Sequence, residues 1–323
     1  MCASKHLLFF FAIFITSAIA WPSQSFKSVP FAPPVFNITK SGAPLAPGLL
    51  FITTTALPYP ASYIMTDDGD LVWSSTTGDY FNLNVQSFDS KPVLTYWNGT
   101  GSPNLALNGH GYGQVQIFDS TYTELYNLCL SLDLVIPTNT TVECQADLHE
   151  SYVTDRGSIL VTAYNITQAD LTSINGPADG WIYDCLVFEI DIKTQEILFS
   201  WSAFRAGIPI SDSKLPLGSA GDFADPFDFF HINSIQNVGD SYLINSRHMW
   251  TSYMIDSKGE IEWQFEVGIY FPSSRETELI DLGRAPLAAI SSSRQTSILC
   301  VFLSDPSSSS NPDTGLGASS ACP

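Results

Sequence analysis

Short runs of β-branched and aromatic residues, broken by Gly, Asp, Asn and Pro, follow one another along the chain. Beyond residue 20 no stretch keeps a 3.6-residue apolar period over three turns, so the pattern predicts an all-β protein. The runs also repeat. Tyr63-Ile-Met-Thr-Asp-Asp-Gly-Asp-Leu-Val-Trp73 and Tyr253-Met-Ile-Asp-Ser-Lys-Gly-Glu-Ile-Glu-Trp263 align without a gap. They share the Tyr, the Gly, the acidic residue after it, an aliphatic and the final Trp. Leu186 to Trp201 is a looser copy, and Gln116 to Tyr126 is another that lacks the Gly and the Trp. Each copy predicts a hairpin: a strand, a polar turn, and a strand ending in a large aromatic that packs between sheets.

A second hairpin precedes two of these copies. His149 to Asn165 matches His231 to His248: a His, an aliphatic strand, a Gly-containing turn and a strand ending in polar residues. Lys91 to Asn98 resembles the second strand of that unit. Two consecutive hairpins make a four-stranded antiparallel sheet, and copies at this spacing predict the blades of a β-propeller. About four units are readable, and the pattern stops near Phe265. Residues 268–323 carry serine clusters at 291–293 and 307–310 and no hairpin copy, so they stand apart as an atypical Ser-rich segment. The propeller is expected over residues 21–267.

The first twenty residues predict a secretory signal peptide. Lys5 and His6 open it, Leu7 to Ile15 are apolar, and Ala18-Ile19-Ala20 offers small residues for cleavage. The apolar run is short for a membrane span, so the expectation is a secreted protein without stable membrane insertion. Four sequons, at Asn37, Asn98, Asn139 and Asn165, predict N-glycans. Five cysteines remain after cleavage: 129, 144, 185, 300 and 322. Cys129 and Cys144 are the best candidate disulfide, and no CxxC suggests zinc or thiol redox chemistry. With 13 basic and 32 acidic residues, the net charge of −19 argues against nucleic acid as a partner. Gly42 to Gly48 and Gly109 to Gly113 lack the Lys of a phosphate loop, and no Gly-x-Ser-x-Gly elbow occurs. No cofactor or metal is expected. The spacing Asp222-x-x-Asp225-x-x-Asp228 does not match a calcium loop and reads as a solvated acidic turn.

Outside the leader only four histidines exist: His110, His149, His231 and His248. His149 and His231 hold the same repeat position, at the start of the strand that would line a propeller channel, so they can converge on its axis. Arg247 follows His231 across the hairpin, and its guanidinium suits sulfate, phosphate or carboxylate oxygens. The bland alternatives are specific. A strand-end His can simply satisfy a loop carbonyl, and Arg247 can pair with Asp222, Asp225 or Asp228. His110 reads as a loop residue, and His248, on the opposite face from Arg247, reads as packing.

Asp228-Phe-Phe-His231-Ile-Asn-Ser234, then Tyr242-Leu-Ile-Asn-Ser-Arg247-His248, resembles the arylsulfotransferase family, most of all its secreted fungal branch. Asp147-Leu-His149-Glu with Gly157 to Asn165 resembles the preceding blade, and the likeness covers about residues 45 to 265. It implies a six-bladed propeller that moves a sulfuryl group from an aryl sulfate donor to a phenolic acceptor through a sulfohistidine. By position, His231 and Arg247 would bind the sulfuryl oxygens and His149 would assist the phenol oxygen. The same resemblance puts the nucleophilic His in a later blade, whereas no histidine follows His248. The expectation is a carboxy-terminal segment truncated or substituted after about Glu266. Two further classes remain open: a non-catalytic propeller binding an anionic or aromatic ligand, and a quinone-cofactor dehydrogenase, which would need a calcium-binding carboxylate set.

Overall fold

The computed structural model describes residues 28–43, 46–54, 59–101, 109–136 and 142–266. Fifteen strands and two short 3₁₀ turns account for the regular structure of these residues. The strands form four antiparallel sheets, each a meander of sequence neighbours. The first sheet holds β1 (Leu50–Thr54), β2 (Ala61–Met65) and β3 (Leu71–Ser74). The second holds β4 (Tyr80–Phe88), β5 (Lys91–Gly101), β6 (Gly111–Phe118) and β7 (Glu124–Leu128). The third holds β8 (Ser151–Val153), β9 (Ser158–Ala169), β10 (Gly180–Asp191) and β11 (Ile197–Ser202). The fourth holds β12 (Ile232–Val238), β13 (Ser241–Ser246), β14 (Thr251–Ile255) and β15 (Ile261–Glu266).

The opening strands of successive sheets pack on one another, β1 on β4, β4 on β8 and β8 on β12. Sheets that follow one another in the chain and meet along their first strands are propeller blades, and the fold is a β-propeller type. These strands all belong to one compact unit, Met1–Ile269. The expected signal peptide (1–20) and the 268–323 segment lie outside the described residues.

The turn at the centre of the repeat has a conformational basis. Gly69 and Gly259 sit at φ +87° and +91°, and each amide closes its turn on a carbonyl three residues back, Thr66 or Asp256, at 3.0 Å. Left-handed backbone is where glycine costs least. The copies without the Gly keep the conformation, with Tyr122 at φ +62° and Gln195 at φ +61°. Their amides bond back to the Asp119 and Asp191 carbonyls. The carboxylates of those two Asp also take turn amides, which helps hold a backbone that a side chain would otherwise disfavour.

The expectation that every terminal Trp packs between sheets needs correction. Trp201 is 5% exposed and lies against Phe230, just ahead of the first strand of the following sheet, at 5.9 Å. Trp73 is half-buried and stacks on Tyr122 of the second sheet at 5.3 Å. Trp263 is 46% exposed. A blade's Trp is buried by the blade that follows it, and β15 is the last described strand.

The core lies between sheets. Trp97, Val115, Ile117 and Leu128 of the second sheet meet Ile159, Val161 and Ile190 of the third. Tyr164, Ile182 and Tyr183 of the third meet Phe229, Phe230, Ile235 and Ile244 at the fourth. A disulfide joins Cys129 to Cys144, and Cys185 is a buried free thiol. No described helix is long and apolar enough to cross a membrane.

Candidate functional site

His149 lies two residues ahead of β8 and His231 immediately ahead of β12, and the chain brings both to one place. Their Nε2 atoms stand 3.1 Å apart. The sheets place them there through two buried aspartates. Asp147 is locked by the Gly111 amide on Oδ1 at 2.9 Å and by the His149 amide on Oδ2 at 2.9 Å, and it takes the His149 Nδ1 proton at 2.6 Å. Asp228 sits in a segment stitched to β10 by Phe227, which exchanges backbone bonds with Trp181 and Tyr183 at 2.8 and 3.1 Å. Phe227, Phe229 and Phe230 are fully buried, so Asp228 cannot swing out. Its Oδ2 meets His231 Nδ1 at 2.5 Å and His110 Nε2 at 3.0 Å, and its carbonyl meets His248 Nδ1 at 2.5 Å.

All four histidines among the described residues thus converge on one cluster. His110 and His231 rings are 4.8 Å apart, as are His231 and His248, and His110 packs on the Tyr164 ring at 3.7 Å. His231 itself holds φ +53°, left-handed backbone that a residue with a Cβ rarely adopts. The Arg247 amide bonding its carbonyl at 2.8 Å, and the Tyr164 hydroxyl bonding the next carbonyl at 3.1 Å, hold it in that shape. Such local strain is concentrated at functional sites.

Burial and charge split the imidazoles. Burial drives His231 down to about 4, against the pull of Asp228, with His110 and His149 adding to the fall. Burial works in the same direction on His149, but the charge and hydrogen bond of Asp147 outweigh it, and the His149 pKa is raised. His248 is lowered, chiefly by burial. Burial would raise Asp228, yet the charges and hydrogen bonds of His110 and His231 hold it well below the usual carboxylate range. Asp147 is likewise lowered, His149 overriding its burial. The geometry then fixes the protons. With Nδ1–H of both rings facing carboxylates, a proton between the two Nε2 atoms sits on His149, the more basic ring.

Arg247 lies at the rim. It is exposed, and among the described residues its guanidinium forms no ion pair with a carboxylate. The pairing with Asp222, Asp225 or Asp228 therefore does not form. Its charge still reaches the cluster, opposing protonation of His149 and His248.

Two expectations change. Asp228 is 5% exposed and is the hub of the cluster, not part of a solvated turn, while Asp222 caps that turn through the Ala224 and Asp225 amides. His110 does sit in a loop, just ahead of β6, but its ring is fully buried within the site. His248 faces the cluster as well as packing. The missed residues had one sequence signal, an Asp two or three positions ahead of each repeat-equivalent His. A cavity of 660 Å³ lies elsewhere, lined by Trp201, Arg205 and Lys258 among others, and holds none of these histidines.

The site is therefore four histidines on two buried aspartates, gathered from the second, third and fourth sheets of a β-propeller. The sequence model of arylsulfotransferase (ASST) matches residues 84–269, more than half of the chain. The chain belongs to the arylsulfotransferase family. No curated protein matches it. Among solved structures, a protein of unknown function from Bacteroides caccae is 11% identical with a TM-score of 0.37, over 68% of this chain and 58% of that one. The Dos1 propeller is 11% identical with a TM-score of 0.35, over 68% of this chain and 45% of that one. The chain thus spans about half the length of these structures.

Proposed function

We propose that the cluster binds the sulfuryl group of an aryl sulfate and serves its transfer to a phenol. The observation that carries this reading is Arg247, a guanidinium spent on no described carboxylate, beside an imidazolium, in a chain of net charge −19. A cation left unpaired beside imidazole donors is an oxyanion cradle. Arg247 and the His149 Nε2–H hold the sulfuryl oxygens, while His231, neutral with its Nδ1–H on Asp228, presents Nε2 as an acceptor beside them. His149, kept protonated by Asp147, gives its proton to the leaving phenolate and takes one from the entering phenol. Asp228 keeps His231 and His110 oriented. The family resemblance assigns the covalent step to a histidine in a later blade, and none follows His248 in this sequence. A second reading is a secreted propeller that binds an aryl sulfate or related anion without turning it over, which the same buried imidazole cluster and exposed guanidinium would also serve.

Release of the phenol from a chromogenic aryl sulfate, with and without an acceptor phenol, separates the two. Acceptor-dependent release supports transfer. Saturable binding without release supports the binder. Neither, at millimolar donor, removes both. Secretion and glycosylation belong to the same proposal. Asn37 is exposed, Asn98 and Asn165 lie within β5 and β9 with their amides hydrogen-bonded, and Asn139 is outside the described residues.

A further inference from the structure

Each of the two facing imidazoles in the cluster is backed by a buried carboxylate, at 2.6 Å for His149 on Asp147 and 2.5 Å for His231 on Asp228. A carboxylate at that distance accepts a hydrogen bond from Nδ1–H, so that in the neutral form of each ring Nε2 carries the lone pair. The two Nε2 lone pairs then confront each other across 3.1 Å, an arrangement that needs a positive centre between them. A proton is one such centre. We propose that a divalent transition cation of the Zn²⁺ class is another, and that His149 Nε2 and His231 Nε2 are its ligands.

Four observations agree. Nitrogens bound to one zinc-type ion at about 2.0–2.1 Å stand roughly 2.9–3.4 Å apart when they are neighbours in its shell. Metal-ligating histidines almost always give their other N–H to a carboxylate or carbonyl, which is the arrangement of both rings here. Asp147 and Asp228 are 1% and 5% exposed, and a shared proton offsets only one of two buried negative charges, whereas a divalent ion offsets both. Further donors are at hand. Donor atoms of His110, Asp228 and His231 lie within 4.8 Å of one another, and so do those of His110, Asp147 and His149. Asp228 Oδ1 is buried without a hydrogen-bond partner among the described residues.

Imidazole donors select Zn²⁺, Co²⁺, Ni²⁺ or Cu²⁺ over Mg²⁺ and Ca²⁺. The His149 side chain is 16% exposed, which leaves the ion an open side for water or an oxyanion. The inference does not depend on sulfuryl transfer, because the ion is tested alone.

The test strips the full-length secreted protein with a chelator and titrates it with Co²⁺ in sulfate-free buffer, following visible absorption, and with Zn²⁺ by calorimetry. One ion per chain is expected. Asp147→Asn, which keeps the shape and removes the backing charge, should weaken binding by about 10–100-fold. His149→Ala and His231→Ala should each weaken it further, with folding checked by circular dichroism. Should either alanine variant misfold, the Asp147→Asn titration decides. Absence of Co²⁺ absorption, or an affinity that Asp147→Asn leaves unchanged, overturns the proposal. Phenol release from an aryl sulfate by a protein that shows no Co²⁺ absorption would leave the sulfuryl reading standing while this one fails.

Discussion

Arg156→Ala strands a buried carboxylate, and the structure sets the size of the loss. Glu189 on β10 is 4% exposed, and Arg156, in the β8–β9 turn, grips it with both prongs, Nε to Oε1 at 3.1 Å and Nη2 to Oε2 at 2.9 Å. Ser158 Oγ donates to Oε1, and the Tyr242 hydroxyl on β13 donates to Oε2 at 2.6 Å. Arg156 Nη1 reaches the Gly239 carbonyl at 3.2 Å, so one ion pair ties the third sheet to the fourth. Breaking a buried pair by removing one partner costs about 3–5 kcal/mol. The Arg156 side chain is 32% exposed, and solvent screening moves the expectation to about 3 kcal/mol or somewhat less. That corresponds to a fall in Tm of about 6–12 °C. Urea and thermal unfolding of the full-length protein at pH 7 measure it. Arg156→Ala with Glu189→Gln should recover at least about 1 kcal/mol, because the amide oxygen still accepts from a hydroxyl while the stranded charge is gone. A change within about 0.5 kcal/mol for Arg156→Ala, the range of an exposed pair, would refute the argument. So would a double variant less stable than Arg156→Ala alone.

Three other outcomes follow from the same structure. Cys129→Ser with Cys144→Ser opens a loop with a sequence separation of 15 and should lower stability by about 3 kcal/mol in a urea titration. Gly113→Ala puts a Cβ 2.4 Å from the Asn98 carbonyl and 2.6 Å from the buried Trp97 ring, so a loss of about 1–3 kcal/mol is expected in the same assay. In imidazole NMR, His149 should titrate above its ordinary value of 6.5 while His231 stays neutral down to about 4. For His231 the unfolded chain binds the extra proton between those limits, so its contribution is complete above pH 6.5 and is lost as pH falls toward 4. A His231 resonance that titrates near 6.5 would contradict the split.

Much of the fold was legible because hairpins announce themselves locally. The Tyr63–Trp73 and Tyr253–Trp263 copies are β2–β3 and β14–β15, and the paired His149 and His231 units are β8–β9 and β12–β13. Turn chemistry and period-2 patterning fix such elements within a dozen residues. The convergence of His149 and His231 was legible for the same reason, since equivalent positions in successive blades face the same axis. What could not be read was contact between blades at long separation. His110 looks like any histidine between glycines, and only a fold that brings the loop ahead of β6 to Asp228, across 118 residues, makes it a partner of Asp228. Asp228 sits in an acidic run that reads as solvated, and three buried phenylalanines beside it decide otherwise. The terminal Trp positions were read as equivalent, yet their burial depends on which sheet follows.

Arg247 and the imidazole cluster are proposed to hold a sulfuryl group. Calorimetric titration of the protein with a phenyl sulfate, alongside Arg247→Ala, tests it most directly. Saturable binding that weakens at least tenfold without the guanidinium is expected, about 1.4 kcal/mol, which lies within the range of a charge-assisted contact. Equal affinity in the two proteins, or no binding to either, would contradict it.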